Sequence, residues 1–264
     1  MTLTLGSPAG RGTPAAPERL LYYPQQRIHA DDLNDEQAYH RRKLREHNRF
    51  LHGWGVVCGF DVQPAATGAA PWRIRITPGH LLTPQGDSVT LRADVLYDVA
   101  DCLLSSADPC VFARPCPPVN RRALVDDTLH LAVRYTECET RPVHRAPAGC
   151  SCAGSGDCAD RCAPDAAGCQ YTRVLEAHEI CCLPALPRSH AAGPRDCDEV
   201  RHPAVPGVTP CPPCTDEPWV VLATLTLPRS PRSPLDAIDL LRHRRLLPSA
   251  AHLADLARCP QERP

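Results

Sequence analysis

Proline sets the first limit on this chain. Thirty of its 264 residues are proline. Each removes a backbone donor and breaks a helix interior, so a mainly helical fold is ruled out and short strands joined by long loops are expected. The apolar fraction of 43% is enough for a core, but aromatics are only 5%, so Val, Leu, Ile and Ala must do most of the packing.

Period-two patterning supports that reading. "WGVVCGFDV" (54–62) and "WRIRIT" (72–77) alternate, with Trp72, Ile74 and Ile76 on one side. "TPGHLLTPQGDSVTL" (77–91) predicts a tight turn, a strand, a Gly86-Asp87 turn and a second strand. "LHLAVRY" (129–135), "YTRVLEAHEI" (171–180) and "EPWVVLATLTL" (217–227) complete a set of about seven strands. No strand–helix–strand alternation appears, so a parallel sheet is not expected. The predicted fold is mainly β: an antiparallel sandwich or barrel-like domain with Cys/Pro-rich loops.

One long helix precedes it. In "ADDLNDEQAYHRRKLREHNRFLHG" (30–53), Asp31 or Asp32 can cap, and Asp35 and Glu36 suit the positive end of the helix dipole. Leu33, Gln37, His40, Leu44, His47 and Leu51 recur at three and four, a narrow, half-polar stripe. Gly53 suits the residue just past the helix end. Trp54, between Gly53 and Gly55, is then expected to plug a corner where the helix gives way to the first strand. There Val56, Cys58 and Phe60 should face one way, and Val57 and Asp61 the other. The expected organisation is a flexible leader over 1–19, an extended arm and docking helix over 20–53, the β-domain over 54–247, and a short helix and tail over 248–264.

Charge and leader narrow the setting. The net charge is −1, so no global field recruits nucleic acid or acidic lipid. The helix carries Arg41, Arg42, Lys43, Arg45 and Arg49, but it begins acidic and has no aromatic pair placed for base stacking. A partner-facing or solvated role is the better expectation. No run is apolar enough to span a bilayer, and "MTLTLGSPAGRGTPAAPERL" lacks a signal-peptide core, which predicts a chain that is cytoplasmic as synthesised.

Sixteen cysteines pull against that address. Disulfides and structural metal both remain open from the sequence. If zinc is bound, Cys138, Cys150, Cys152, Cys169, Cys211 and Cys214 are the candidate ligands, "CPPC" (211–214) supplying a CxxC knuckle. That motif precedes a strand rather than opening a helix, which disfavours redox chemistry. Glu176 and His178 share one strand face without a nucleophile beside them, and no GxSxG, P-loop or GxGxxG occurs. The chain is therefore not expected to be an enzyme.

The run 22–62 resembles a group of poorly characterised bacterial proteins. Their pattern is an opening "Y-F-P-G-Q-x-L-x-A-x-D" and a later "HNRxLHGWGVVCGLxV". It is matched by Tyr22, Pro24, Gln26, Ala30, Asp32, His47, Asn48, Arg49 and 51–59. "ITPGHLLTPQGDSV", "LAVRYTECETRPV", "GCQYTRVLEAHEI" and "CPPCTDEPWVVLATLTL" are similar to later segments of that group. Gln25 stands where the group usually has Gly, and Cys158 and Cys162 lie in an insertion. The resemblance implies an association with gene clusters for phage-tail-like contractile injection systems. It thus implies a structural or accessory component, baseplate-associated or fibre-like, whose partners are other particle or baseplate proteins. Tyr23, Arg41, Arg42, Arg45, Arg49 and Trp54 are the expected interface. The alternative is a zinc-stabilised module that binds a small ligand or glycan through its loops.

Overall fold

A computed structural model describes residues 17–103, 116, 119–144, 169–191 and 217–258. Among them are helix α1 (Ala30–His47) and ten strands. The strands are β1 (Gly55–Gly59), β2 (Val62–Pro64), β3 (Arg73–Ile76), β4 (Gly79–Leu82), β5 (Ser88–Leu91), β6 (Val95–Asp98), β7 (Thr128–His144), β8 (Cys169–Leu183), β9 (Val220–Thr226) and β10 (Ala237–Asp239). They form three sheets, ordered β1-β4-β5, β2-β3-β6 and β10-β9-β7-β8. All ladders within these sheets are antiparallel, and none closes into a barrel.

The three sheets share one core. Val56, Phe60, Ile74, Ile76, Leu81, Leu129, Leu131, Val133, Leu222 and Leu225 are at most 1% exposed and belong to a single cluster. Trp72, Ile74 and Ile76 do share a buried side, and Trp72 Nε1 donates to the Ser233 carbonyl at 2.9 Å. The first strand departs from simple alternation. Val56 pairs with Leu81 and Cys58 with His80, leaving Val57 as a bulge. The extra residue turns Cys58 out to solvent, whereas Val56 and Phe60 stay buried. The predicted common face for these three therefore fails at Cys58.

Two elements outrun their predicted length. β7 and β8 form one long hairpin in continuous register from His130↔Leu183 to Thr140↔Arg173, and on beyond the Arg141 irregularity to His144↔Cys169. Its far half carries polar and charged side chains, which hide the apolar alternation. The sequence pattern does not mark β6 or β10. In β6 the apolar residues Val95, Leu96 and Tyr97 run consecutively with Leu96 facing solvent, so no alternation shows, and β10 spans only three residues with Ala237 exposed.

The helix also differs at its start. His29, not Asp31 or Asp32, is the capping residue, and Asp32 Oδ2 accepts from the His29 N–H at 2.8 Å. Asp32 thus acts from inside the first turn, as the acidic half of a capping box does. At the other end α1 widens into a single π-turn over 48–52, closed by Gly53 N–H to Asn48 O at 2.9 Å, with Gly53 at φ +82°. The last helix, Ala250–Arg258, falls where the amphipathic tail predicts it.

Candidate docking site

The joint around Trp54 is strapped by the chain's C-terminal part. Val56 N–H donates to Arg245 O and Leu247 N–H to Val56 O, each at 2.8 Å. Arg244, whose side chain is 7% exposed, donates to the carbonyl of Phe60 at 2.9 Å and to that of Gly59 at 2.5 Å. Gly55 at φ +140° makes the strap possible, since a Cβ there would lie 2.6 Å from Arg245 O. Trp54 is half-buried. Its ring meets His190 edge-on at 4.7 Å, with the Arg245 guanidinium 4.4 Å above it. The indole thus seals a seam between the first sheet, the strap and the segment after β8.

Three histidines lie together at this seam. Thr224, opposite His130 in the β7–β9 ladder, has its hydroxyl 3.4 Å from His130 Nδ1 and 2.9 Å from His243 Nδ1. The His130 and His243 rings are 5.1 Å apart. His190 Nε2 accepts from the Val221 N–H at 3.1 Å, which requires a neutral acceptor nitrogen. Burial, with His243 and Arg242 nearby, pushes His130 down to about 4. Burial, with Arg245, His243 and His130 nearby, does the same to His190, also to about 4. These residues stand far apart in sequence, and no spacing rule links them.

Helix α1 stands outside the core. None of its residues is buried, and it rests on the body through polar contacts. Arg45 Nε bonds Asp87 Oδ1 at 2.6 Å and Asn48 Nδ2 donates to Gly86 O at 2.8 Å. Arg41 forms an ion pair with Glu137 on the hairpin. That pair has a local cause. Glu137 sits directly opposite Glu176, a like-charge cross-strand pair that a nearby cation relieves.

The expected interface residues therefore divide. Arg41, Arg45 and Trp54 each make a contact within the chain. Arg42 lies over the Tyr39 ring at 5.7 Å and Arg49 over the Phe50 ring at 4.5 Å. Tyr23 is 66% exposed. What α1 offers outward is the leucines of its half-polar stripe. Leu33, Leu44 and, in the π-turn, Leu51 are 48%, 60% and 71% exposed, and the arm residues Leu21, Tyr23 and Ile28 are exposed as well. Tyr22 donates its hydroxyl to Glu36, fastening the arm to the helix. A shallow open groove along α1 is lined by Leu33, Glu36, Gln37, His40 and Arg41. A second follows 183–187 with Glu217 and Trp219, and Trp54 lines neither.

The cysteine candidates are partly separated. Cys150, Cys152, Cys211 and Cys214 lie outside the described residues. Cys138 pairs with Leu175 and Cys169 with His144, six positions further along the same ladder. At about 3.4 Å per residue that is roughly 20 Å, far beyond the span of two ligands with zinc–sulfur bonds of about 2.3 Å. Cys138 and Cys169 therefore cannot ligate the same ion. No grouping of three or more His, Cys, Asp or Glu suited to a metal occurs among the described residues. One disulfide joins Cys116 to Cys181. Glu176 is exposed and His178 half-buried, opposite Glu137 and Tyr135. No described helix is long and apolar enough to cross a membrane.

No protein-family model matches the chain, and neither does any curated protein. Two solved structures are similar over most of its length. One is the TssK-TssF-TssG baseplate subcomplex of the type VI secretion system. It shows 10% identity and a TM-score of 0.38, over 84% of this chain and 60% of the matched one. The other is TssK, with 10% identity and a TM-score of 0.32, over 85% of this chain and 41% of that one. The chain thus spans less than two thirds of the length of either matched chain.

Proposed function

We propose that this protein is a structural or accessory component of a phage-tail-like contractile injection particle, baseplate-associated or fibre-like, and that it acts by docking to another particle protein. The reading carries no catalytic step. Its motif support is the resemblance over 22–62. The observation that carries it is the set of exposed leucines along α1 and its π-turn, Leu33, Leu44 and Leu51, on a helix that buries none of its residues and meets the body through polar contacts. A helix that buried these leucines on its own body would have no such surface to offer.

Leu44 and Leu51 are the test positions, because both are exposed and neither helps hold α1 to the body. Leu44→Glu with Leu51→Glu should lower the amount of protein co-sedimenting with assembled particles about tenfold or more, by placing charge in a desolvated contact. Circular dichroism and thermal unfolding of the isolated chain should stay unchanged. Full incorporation of the folded double variant would refute the docking role of this face.

A further inference from the structure

The π-turn that ends α1 brings two histidines together. In "HNRFLHG" (47–53), His47 and His52 stand five residues apart. At about 100° per residue, an ordinary α-helix would set them roughly 140° apart around its axis. The π-turn narrows that offset, because its bonding runs over five residues, as from Gly53 N–H to Asn48 O. The two rings meet with centroids 5.1 Å apart and planes at 67°, and His47 Nε2 lies 3.3 Å from His52 Nε2. Both residues are exposed to solvent.

That contact can be made in two ways. If one ring carries its proton on Nε2, it donates a single N–H···N bond to the other. If both carry it on Nδ1, two lone pairs converge on one point. The spacing suits the second arrangement when an ion sits between them. With metal–nitrogen bonds of about 2.0–2.1 Å, a separation of 3.3 Å gives an N–metal–N angle of about 104–111°, which brackets the tetrahedral value. The donors also select the ion. Neutral imidazole suits zinc and its late first-row neighbours, whereas calcium and magnesium take oxygen ligands. Residues 41–53 carry Arg41, Arg42, Lys43, Arg45 and Arg49 against the single acid Glu46, which is paired with Lys43 at 3.2 Å. A hard cation that relies on charge is disfavoured there. The negative end of the helix dipole falls at this same turn and partly offsets the basic side chains.

We infer that His47 and His52 form a two-histidine site for a divalent late first-row transition metal, held through both Nε2 atoms with its remaining positions left to water. The ligands are the residue that precedes the π-turn and the last residue within it. An ion across them clamps that turn and fixes the end of α1 above Trp54 in sequence. The site needs no third side chain, in keeping with the lack of a larger ligand grouping among the described residues. It is separate from the cysteine candidates and does not depend on a role in any particle.

The full-length chain is titrated with Zn2+ at buffered free-ion concentrations. Its histidines are then modified with diethyl pyrocarbonate, which acylates an uncoordinated imidazole nitrogen, and mapped by mass spectrometry. Zinc should protect His47 and His52 together, with a common midpoint in the micromolar range, and leave His40 of the same helix reactive. His52→Gln should raise the zinc needed to protect His47 by about tenfold or more, because one imidazole then binds without its chelating neighbour. Rings that react alike with and without zinc would show a plain N–H···N pair and overturn the proposal. Protection of one ring alone, or equal protection of His47 in wild type and variant, would overturn it as well. Both side chains lie outside the core, so the variant leaves the body of the fold in place.

Discussion

Gln25 holds a conformation that its side chain makes expensive. The arm turns through Tyr23-Pro24-Gln25-Gln26, with Gln26 N–H donating to Tyr23 O at 3.2 Å and Gln25 at φ +68°. Proline second and a positive φ third are the arrangement of a type II turn, where glycine is the usual third residue. The resembling group has Gly at this position. This chain keeps the backbone shape with the wrong residue, at a cost of about 1 kcal/mol. Gln25→Gly should therefore slow exchange of the Gln26 amide roughly fivefold, and Gln25→Val should accelerate it. An unchanged rate in both would mean that the strain is absent.

The histidines at the seam give a pH dependence of definite sign. His130 and His190 titrate near 4 when folded, against 6.5 ordinarily. Both are neutral in the native state at neutral pH, and the unfolded chain binds their protons first. Their contribution to stability is complete above about 6.5, falls as pH drops through the window down to about 4, and then levels off. The groups facing them set the direction. Arg242, Arg245 and His243 repel added charge, while Asp239 acts the other way on His243. Urea unfolding across that window should show stability falling with acid. His190→Gln should flatten the fall by removing one of the two titrations. Equal slopes in wild type and variant would contradict the assignment.

At the scale of elements, the seat of α1 is a backbone contact. Gly86, at φ +93°, lies so close to the helix that an added Cβ would run into the Arg45 carbonyl. Gly86→Ala should cost about 1–3 kcal/mol locally through strain and displacement. It should free the C-terminal part of α1, with the Arg45–Asp87 and Asn48–Gly86 bonds lost. Hydrogen exchange would show faster amides over 41–52 and unchanged protection in β7 and β9. Protection of α1 equal to wild type would show that the turn does not hold it.

Much of this was legible in the sequence, for stated reasons. Where one strand face is buried, as at Trp72, Ile74 and Ile76, alternation marks the strand and its inward side. The helix was marked by acidic and basic ends, and by Gly53. The bulge at Val57 was not legible, because an extra residue leaves the composition of β1 unchanged while reversing the face of Cys58. Nor could spacing show that Arg41 and Arg45 are spent within the chain. Their partners, Glu137 and Asp87, are distant in sequence and meet them only through the β7–β8 register and the Gly86 turn.

For the molecule as a whole, the question is what compensates for a small aromatic content and many prolines. One answer is the bond between Cys116 and Cys181, which closes 65 positions of chain around β7 and most of β8. By loop-closure entropy such a link raises the free energy of the unfolded state by about 4 kcal/mol, less any native strain. Cys116→Ala with Cys181→Ala should lower unfolding free energy by about 2–4 kcal/mol, and a reductant should lower wild-type stability by at least as much. The double variant should also show a larger denaturant dependence, because its unfolded chain exposes more surface. If the variant matches wild type in midpoint and slope, the core alone sustains the fold and the cross-link adds nothing to it.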